Sequence, residues 1–352
     1  MNLVEKTISQ ITPQDADLRA QAKARLDQLT MPHWALGRLM DLAMDLAGMT
    51  RSMAPPVARK TVVVMAGDHG VAAEEVSKYP QEVTGQMVRN FISGGAGINA
   101  LARLNDIRVV VVDMGVAADL SDLGDRILSR AIRPGTSNMA VGPAMTREEA
   151  ICSIEAGIEI GQELGETTDV FGTGEMGIGN TTPSSAIVCA LSGCSAADAT
   201  GRGTGLEDDQ FQHKIAVIKR CLDINRPDPT DPLDVLAKVG GFEIGGLAGL
   251  ILGAASLRKP VLIDGFISTA AALIAQRLAP TVAEYMIAAH RSVERGHGIA
   301  LGLLGKEPLL DLNLRLGEGT GAALAMNLVE AAARILTEVA TFEDAAVSRA
   351  QT

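Results

Sequence analysis

The chain has 352 residues, 47% of them hydrophobic and 3% aromatic, which is enough for one large core and a smaller satellite domain. Its formal net charge of -11 and its lack of basic runs argue against nucleic acid as a partner. Apolar stretches stop well short of the roughly 18 residues of a membrane span, and the N-terminus is polar. We therefore expect a cytoplasmic protein with no signal peptide and no membrane contact.

The predicted secondary structure alternates along the chain. Residues 15–49 repeat apolar side chains at helical spacing, from Trp34 to Leu46, and Pro55-Pro56 ends this segment. Short apolar runs closed by Gly, Asp or His then predict buried strands at 61–66, 107–112, 169–171, 260–263 and 286–289. Helical patterns lie between them, at 207–221, 246–257 and 268–278. This alternation predicts an α/β fold, a doubly wound, mostly parallel sheet with helices on both faces.

The last predicted helix covers residues 320–341, and no strand follows it. Such a helix can pack against the helical N-terminal segment. We therefore predict a small helical domain built from residues 1–56 and 320–352, beside a large α/β catalytic domain at residues 57–319.

Polar side chains follow the predicted strands, at the edge where ligands bind in doubly wound sheets. They are Asp68, His69, Asp113, Glu175, Asp264 and His290. Asp68 and His69 form either an acid–base pair or a turn with a packed histidine. Asp264 either binds ribose hydroxyls or caps the next helix. His290 and His297 belong to no nucleophile motif, so packed histidines remain the alternative for both.

The most informative segment is a glycine loop at residues 171–183, which holds one carboxylate, Glu175, and leads into a helix start at Thr181. Glycine lets backbone N–H groups approach an anion, and a helix N-terminus favours negative charge. Glu175 would repel a phosphate, so we expect it to face the sugar or base of a nucleotide. The loop also matches G-x-G-x-x-G, but the acid expected about 20 residues later in a dinucleotide site is missing.

A second glycine loop covers Gly201 to Gly205, and Lys214 lies on the helix after it. Two glycine loops and one lysine suit a phosphate and a ribose, although a flexible connection with a solvated lysine is the alternative. Glu318 lies between two glycines before the last helix. It is either a general base or an acid favoured by a helix N-terminus.

The four cysteines, Cys152, Cys189, Cys194 and Cys221, show no metal-binding spacing. We interpret Cys189 and Cys194, which lie five residues apart in an apolar segment, as buried free thiols. We accordingly predict no metal and no cofactor.

Several segments, in order along nearly the whole chain, resemble the nicotinate-nucleotide:dimethylbenzimidazole phosphoribosyltransferase family. They are Gly67-Asp68-His69-Gly70-Val71, Tyr79-Pro80, Val83-Thr84, Gly174 to Thr182, Gly201 to Gly205, Asp264-Gly265-Phe266 and Leu316 to Gly321. The resemblance implies transfer of 5-phosphoribosyl from nicotinate mononucleotide to 5,6-dimethylbenzimidazole, with inversion at the anomeric carbon. The products would be nicotinate and α-ribazole 5'-phosphate, in assembly of the lower loop of cobalamin. It also implies a homodimer.

The family's functional residues fall on matching positions of this chain. The resemblance implies that Glu318 is the general base and that Glu175 is the second catalytic glutamate. It assigns phosphoribosyl and nicotinate contacts to Gly177, Gly179, Asn180, Thr181, Thr182, Gly203, Lys214, Asp264, Gly265 and Ser292. It assigns the benzimidazole pocket to Ser77, Tyr79, Gln86 and Leu316.

Two other classes of function stay open at this point. A nicotinamide-linked oxidoreductase would explain the glycine fingerprint, and a non-catalytic nucleotide-binding protein would explain both glycine loops. Neither class explains both Glu175 and Glu318.

Overall fold

The computed structural model describes residues 1–203, 205 and 207–348. Thr204 of the second glycine loop and the last four positions of the predicted helical domain lie outside the described residues. The strands of the described part are β1 (Lys60–Gly67), β2 (Ile107–Gly115), β3 (Leu128–Ser129), β4 (Val170–Met176), β5 (Val261–Ile263), β6 (Met286–Ala288), β7 (His290–Ser292) and β8 (Leu310–Leu314).

The helices are α1 (Leu3–Gln10), α2 (Ala16–Leu26), α3 (Arg38–Thr50), α4 (Val83–Ser93), α5 (Gly97–Leu104), α6 (Arg147–Gly165), α7 (Thr181–Ser192), α8 (Ala196–Ala199), α9 (Asp208–Asn225), α10 (Pro232–Val239), α11 (Phe242–Ser256), α12 (Phe266–Leu278), α13 (Arg295–Leu304) and α14 (Thr320–Glu338). Short 3-10 segments lie at Gly70–Glu74, Ser121–Arg126 and Pro280–Tyr285. None of the helices in these described ranges combines the length and the apolar character that crossing a membrane requires.

The main sheet has six parallel strands in the order β3-β2-β1-β4-β5-β6. The first three strands, β1 to β3, form one half of the sheet, from its centre to one edge. The chain then returns to the centre, and β4 to β6 form the other half. The strand order therefore reverses between β1 and β4, and ligands of doubly wound sheets bind beside such a switch point. The predicted fold and its five strands are confirmed, with β4 extending to Met176.

Helices cover both faces of the central strands. All of β1 is buried, with Met65 directed toward α11 on one face and Val62 toward α14 on the other. β-branched residues suit such a position, because they pack well on a pleated surface. A second, two-stranded parallel sheet pairs β7 with β8 and was not predicted.

The helix α6 was also missed by the sequence prediction. It begins with a capping box, in which Thr146 and Glu149 each accept the other's backbone N–H. Its contact with α11 is unusually close, because a Cβ at Gly157 would lie 1.9 Å from the Gly246 carbonyl. A Cβ at Gly249 would likewise lie 1.9 Å from the Ile154 carbonyl. These two helices therefore pack backbone against backbone.

The N-terminal segment differs from its predicted single helical pattern. It contains two helices, α2 and α3, and residues 27–37 between them are not helical, so Trp34 and Leu36 lie outside any helix. Pro32 and Gly37, whose φ is 51°, fall in this break. The C-terminal α14 contacts α2 and α3, and it also contacts β4 and β5. The division into a helical domain and a catalytic domain remains a prediction.

We predict that Gly249→Ala lowers the free energy of unfolding by about 1–3 kcal/mol, because the added methyl group would force α6 and α11 apart. Gly302→Ala in α13 is the matched control, since its Cβ would meet nothing within 4 Å. That change should raise the free energy of unfolding by about 0.5–1 kcal/mol, because alanine favours the helix. Urea denaturation measures both values. Equal effects of the two substitutions would contradict the close packing of α6 on α11.

Candidate active site

A cavity of about 710 Å³ opens at the carboxyl end of β4. Its wall comes from six segments that are distant in sequence. They are residues 76–87, 175–181, Gly203 with Lys214, 265–267, 290–294 and 313–318. The cavity thus lies at the sheet edge where the polar residues were expected.

The first glycine loop is shaped by contacts with the end of β1. A Cβ at Gly177 would lie 2.4 Å from the Gly67 carbonyl, so no larger residue fits there. Gly179 has a φ of 88°, which favours glycine. The Ile178 N–H donates to Thr84 Oγ1 at 3.1 Å, which ties the loop to α4. The loop therefore holds the start of α7 against the cavity.

The N-cap of α7 is Asn180, and its side chain makes no capping bond. Its Nδ2 instead donates to Glu175 Oε2. The first N–H groups of α7 consequently receive no side-chain cap, which leaves the helix N-terminus suited to an anion. Asn180 also links this anion-favouring end of the cavity to the carboxyl group of Glu175.

Glu175 is buried at the end of β4, and its carboxyl group contacts the segment before α14. A Cβ at Gly317 would lie 2.1 Å from Glu175 Oε1. Burial raises the pKa of Glu175 to about 8, the Asn180 hydrogen bond opposes this rise, and Asp264, Glu243 and Glu318 add to it by repulsion. Glu175 therefore carries a proton at neutral pH.

Glu318 lies in the left-handed region with a φ of 61°, directly before Gly319, the N-cap of α14. Its Oε2 accepts the Ile98 N–H of α5 at 3.0 Å. Burial raises the pKa of Glu318, while the N–H groups of Ile98 and Gly97 act in the opposite direction. The helix N-terminus that holds this carboxylate is thus that of α5, whereas the sequence pointed to α14.

Lys214 is 1% exposed, and its Nζ donates to Thr181 Oγ1 at 2.6 Å. A Cβ at Gly203 would lie 3.2 Å from the same Nζ, so the second glycine loop covers the ammonium group. Burial lowers the pKa of Lys214 to about 8, and the charge of Glu294 opposes that shift. A solvated lysine, the alternative raised by the sequence, is excluded for Lys214 by its burial.

Most of the predicted site residues meet at this cavity. Its wall includes Glu318, Glu175, Gly177, Gly179, Asn180, Thr181, Gly203, Lys214, Gly265, Ser292, Ser77, Tyr79 and Leu316.

Thr182, Asp264 and Gln86 are not among the lining residues. Thr182 is fully buried in the first turn of α7. Asp264 is buried behind the wall, where its Oδ1 accepts the Ala322 N–H of α14 at 2.9 Å, so it caps α14 and not the next helix α12. Gln86 is exposed on α4, and Val83 and Met87 of the same helix line the cavity in its place.

Of the two alternatives for Asp68 and His69, the structure favours an aspartate in a turn with a packed histidine, and the acid–base pair is not formed. His69 Nε2 lies 2.8 Å from Glu243 Oε1, and Asp68 Oδ2 accepts the Ala117 N–H at 2.8 Å. Burial acts to lower the pKa of His69, but the Glu243 carboxylate outweighs it and the pKa is raised. Neither residue lines the cavity. The pair of His69 and Glu243 instead lies directly behind Gly177 and supports the first glycine loop.

Sequence reasoning missed other residues of the wall. The apolar ones are Val76, Met87, Met176, Phe266, Ile267 and Leu314, and the polar ones are Glu294, Asn313 and Arg315. Glu294 follows β7, a strand that the sequence did not predict, so no strand-end signal was present to identify it. His290 lines the cavity, whereas His297 does not. His297 Nδ1 accepts the Ser292 N–H at 2.8 Å, and this hydrogen bond holds Ser292 in the cavity wall.

The chain was compared with known proteins. A family model described as "Phosphoribosyltransferase" matches residues 11–347. The nicotinate-nucleotide--dimethylbenzimidazole phosphoribosyltransferase of Syntrophotalea carbinolica is 68% identical over 351 residues, which is 99% of each chain. The protein of that name from Desulfotalea psychrophila is 56% identical over 351 residues, again 99% of each chain.

A solved structure shows the same architecture. The crystal structure of the nicotinate-nucleotide-dimethylbenzimidazole phosphoribosyltransferase from Thermus thermophilus superposes with a TM-score of 0.90 at 46% identity, covering 96% of this chain and 100% of that one. The family match includes the whole sheet and every segment of the cavity wall. The chain is therefore a phosphoribosyltransferase, and it belongs to the nicotinate-nucleotide--dimethylbenzimidazole phosphoribosyltransferase family.

Proposed function

We propose that the protein transfers the 5-phosphoribosyl group of nicotinate mononucleotide to 5,6-dimethylbenzimidazole, giving nicotinate and α-ribazole 5'-phosphate. The observation that carries this proposal is one cavity that joins a lysine-containing anion corner to two buried glutamates and an apolar wall. The names of the relatives from Syntrophotalea and Desulfotalea support the same substrates.

The phosphate belongs at the end of the cavity formed by Thr181, Gly203 and Lys214. The Lys214 ammonium already donates to Thr181 Oγ1, and the uncapped start of α7 points the same way. A buried ammonium group and a helix N-terminus both favour a phosphate over a neutral group. Gly177, Gly179 and Asn180 then lie beside the ribose, together with Gly265 and Ser292, which line the same cavity.

The benzimidazole belongs against the wall formed by residues 76–87 and Leu316. Val76, Val83, Met87 and Leu316 offer apolar surface to a flat aromatic base. Ser77 and Tyr79 lie in the same segment and supply polar contacts. Glu318, which lies beside Leu316 in sequence, then faces the ring nitrogen that carries the proton.

The chemistry proceeds by inversion at the anomeric carbon. One benzimidazole nitrogen attacks from the face opposite nicotinate, which departs with a neutral ring nitrogen. The other nitrogen becomes acidic as positive charge develops, and Glu318 removes its proton. The raised pKa of Glu318 makes it a stronger base than a solvated glutamate. Protonated Glu175 has no charge to repel the phosphoribosyl group, and it can donate a hydrogen bond to the sugar.

Holding both reactants in line contributes at most about 7–11 kcal/mol to lowering the barrier, whereas proton removal contributes roughly 10²- to 10⁴-fold. Positioning by the cavity can therefore contribute more to lowering the barrier than proton removal. We also propose that the product enters assembly of the lower nucleotide loop of cobalamin in the cytoplasm, and that the enzyme works as a homodimer.

The direct test mixes the purified protein with nicotinate mononucleotide and dimethylbenzimidazole, without added metal, and follows products by liquid chromatography with mass detection. We expect nicotinate and α-ribazole phosphate in equal amounts, with the α configuration established by NMR. Other benzimidazoles, purines and phenols define the acceptor range. If no acceptor reacts, the transfer reaction is contradicted and the alternative of a non-catalytic nucleotide-binding protein is favoured.

Glu318→Gln should lower kcat by roughly 10²- to 10⁴-fold, because an amide cannot take the benzimidazole proton. Its oxygen can still accept the Ile98 N–H, so binding of nicotinate mononucleotide should change little. Steady-state kinetics and calorimetric titration measure the two effects. The matched control is Glu338→Gln, in which the replaced side chain is 61% exposed on α14. A kcat like that of the wild type would remove Glu318 from the mechanism.

Lys214→Ala should weaken binding of nicotinate mononucleotide by roughly 10- to 100-fold, because a charged hydrogen bond to phosphate is lost. Lys219→Ala changes an exposed lysine of the same helix and serves as the control. Calorimetric titration measures the dissociation constants. Equal affinities of the two variants would contradict a phosphate contact for Lys214.

Glu175→Gln should make the free energy of unfolding fall less as the pH rises. Folded Glu175 keeps its proton up to a pKa of about 8, whereas the unfolded group ionises at its ordinary pKa of 4.5. The wild type therefore loses stability as pH rises between these values, and a glutamine does not ionise. The variant's advantage in free energy of unfolding should grow by up to about 3 kcal/mol from pH 5 to pH 8.

Urea denaturation across this pH range measures the advantage, with Glu338→Gln as the reference. A difference between Glu175→Gln and the wild type that does not vary with pH would show that Glu175 is already ionised in the folded protein.

A further inference from the structure

Glu294 is a buried carboxylate in the wall of the cavity to which the proposed reaction assigns no role. Its residue is 8% exposed, and its Oε2 is buried without a hydrogen-bond partner among the described residues. A Cβ at Gly201 would lie 1.6 Å from this oxygen. The carboxylate thus rests directly on the backbone of the second glycine loop, where any residue larger than glycine would displace it.

The same carboxylate lies in the corner that holds Lys214. Its charge acts on the Lys214 ammonium, and the Gly203 N–H and Arg315 also favour its ionised form. Lys214 and Gly203 are two of the groups that we assign to the phosphate. Glu294 is therefore the acidic residue whose charge acts on Lys214 before a ligand binds.

We propose that Glu294 is the internal counter-ion of Lys214 before a ligand binds, and that it takes up a proton when a phosphate group enters this corner. The protonated carboxyl group then donates a hydrogen bond to a phosphate oxygen. This inference rests on the proposed placement of the phosphate beside Lys214. It adds a positioning and specificity role for Glu294 to the transfer reaction.

The physical reason is repulsion between like charges in a buried corner. A phosphate beside Lys214 would face an ionised carboxylate at close range, and such pairs share a proton more readily than they remain doubly charged. Burial already raises the pKa of Glu294, although Lys214, the Gly203 N–H and Arg315 oppose this rise. A bound anion offsets the attraction between Lys214 and the Glu294 carboxylate. This attraction stabilised the ionised form of Glu294, so the carboxylate takes up a proton when the anion arrives.

Other charged groups near Glu294 do not take over this role. Arg202 of the glycine loop and Arg295 of α13 both lie over the ring of Phe211. His297 of α13 is neutral, since burial lowers its pKa to about 3. Lys214 and Arg315 are the cations whose charges act on Glu294.

The proposal predicts the sign of a pH effect. Because the bound state needs a protonated Glu294, affinity for a phosphate-like anion should rise as pH falls through neutrality. Sulfate is the suitable probe, since its charge stays constant over this range, whereas phosphate has a pKa near 6. Ribose 5-phosphate is the second probe, because it adds the sugar.

The experiment titrates both probes into the wild type, Glu294→Gln and the control Glu338→Gln by calorimetry at pH 7, in buffers of different ionisation enthalpy. The wild type and Glu338→Gln should take up close to one proton on binding, whereas Glu294→Gln should take up only the fraction that Lys214, with its pKa of about 8, still lacks at pH 7. Glu294→Gln should also bind sulfate roughly tenfold more tightly, because the competing carboxylate charge is gone. Uptake by the wild type that approaches one proton per bound sulfate, more than Lys214 alone supplies with its pKa of about 8, tests the proposal even if the variant does not fold.

Two outcomes would overturn the proposal. Binding of sulfate by the wild type without proton uptake shows that Glu294 keeps its charge state. Weaker binding of ribose 5-phosphate by Glu294→Gln, with sulfate binding unchanged, makes Glu294 an acceptor for sugar hydroxyls. If transfer activity is present in either case, the proposed function stands and only the role of Glu294 fails.

Discussion

The close approach of β4 to the loop before α14 is the constraint on which the cavity depends. A Cβ at Gly174 would lie 2.6 Å from the Glu318 carbonyl, and one at Gly319 would lie 3.1 Å from the Thr173 carbonyl. Only glycine permits such contact between two backbones. This contact brings Glu175 and Glu318 to one cavity although they lie far apart in the chain. Without it, neither carboxyl group would be buried where its pKa is raised.

The formal net charge of the protein is -11, and nearby backbone N–H groups stabilise some of its buried carboxylates. Each of two buried acids near the cavity has a backbone donor at hand, since Glu318 accepts from Ile98 and Asp264 accepts from Ala322. Both donors lie at the start of a helix, where N–H groups lack helical partners. Glu294 differs from these two acids because its charge acts on Lys214, in the corner that we assign to the phosphate. That position is why we assign it a proton that moves with the ligand.

The sequence predicted the strands of the main sheet because a buried parallel strand leaves a short apolar run between turn residues. It predicted α9, α11 and α12 because their apolar residues recur at helical spacing. It missed α6, although Thr146 and Glu149 form a capping box, because the glycines of that helix interrupt what would otherwise be an ordinary apolar face. It also joined α2 and α3 across residues 27–37, where spacing alone does not reveal a break. The pair of β7 and β8 is too short to leave a periodic signal.

The sequence alone determined the α/β class, the parallel strands, both glycine loops, the two glutamates and the family, because these features depend on local residue type and order. The tertiary structure decided which groups meet. Ile98 and Glu318 are 220 positions apart, and His69 and Glu243 are 174 apart, so no local pattern links either pair. It also placed Gln86 outside the cavity wall and Glu294 within it. Side-chain direction and burial follow from how distant helices and strands pack, and a single sequence does not encode that packing in any local pattern.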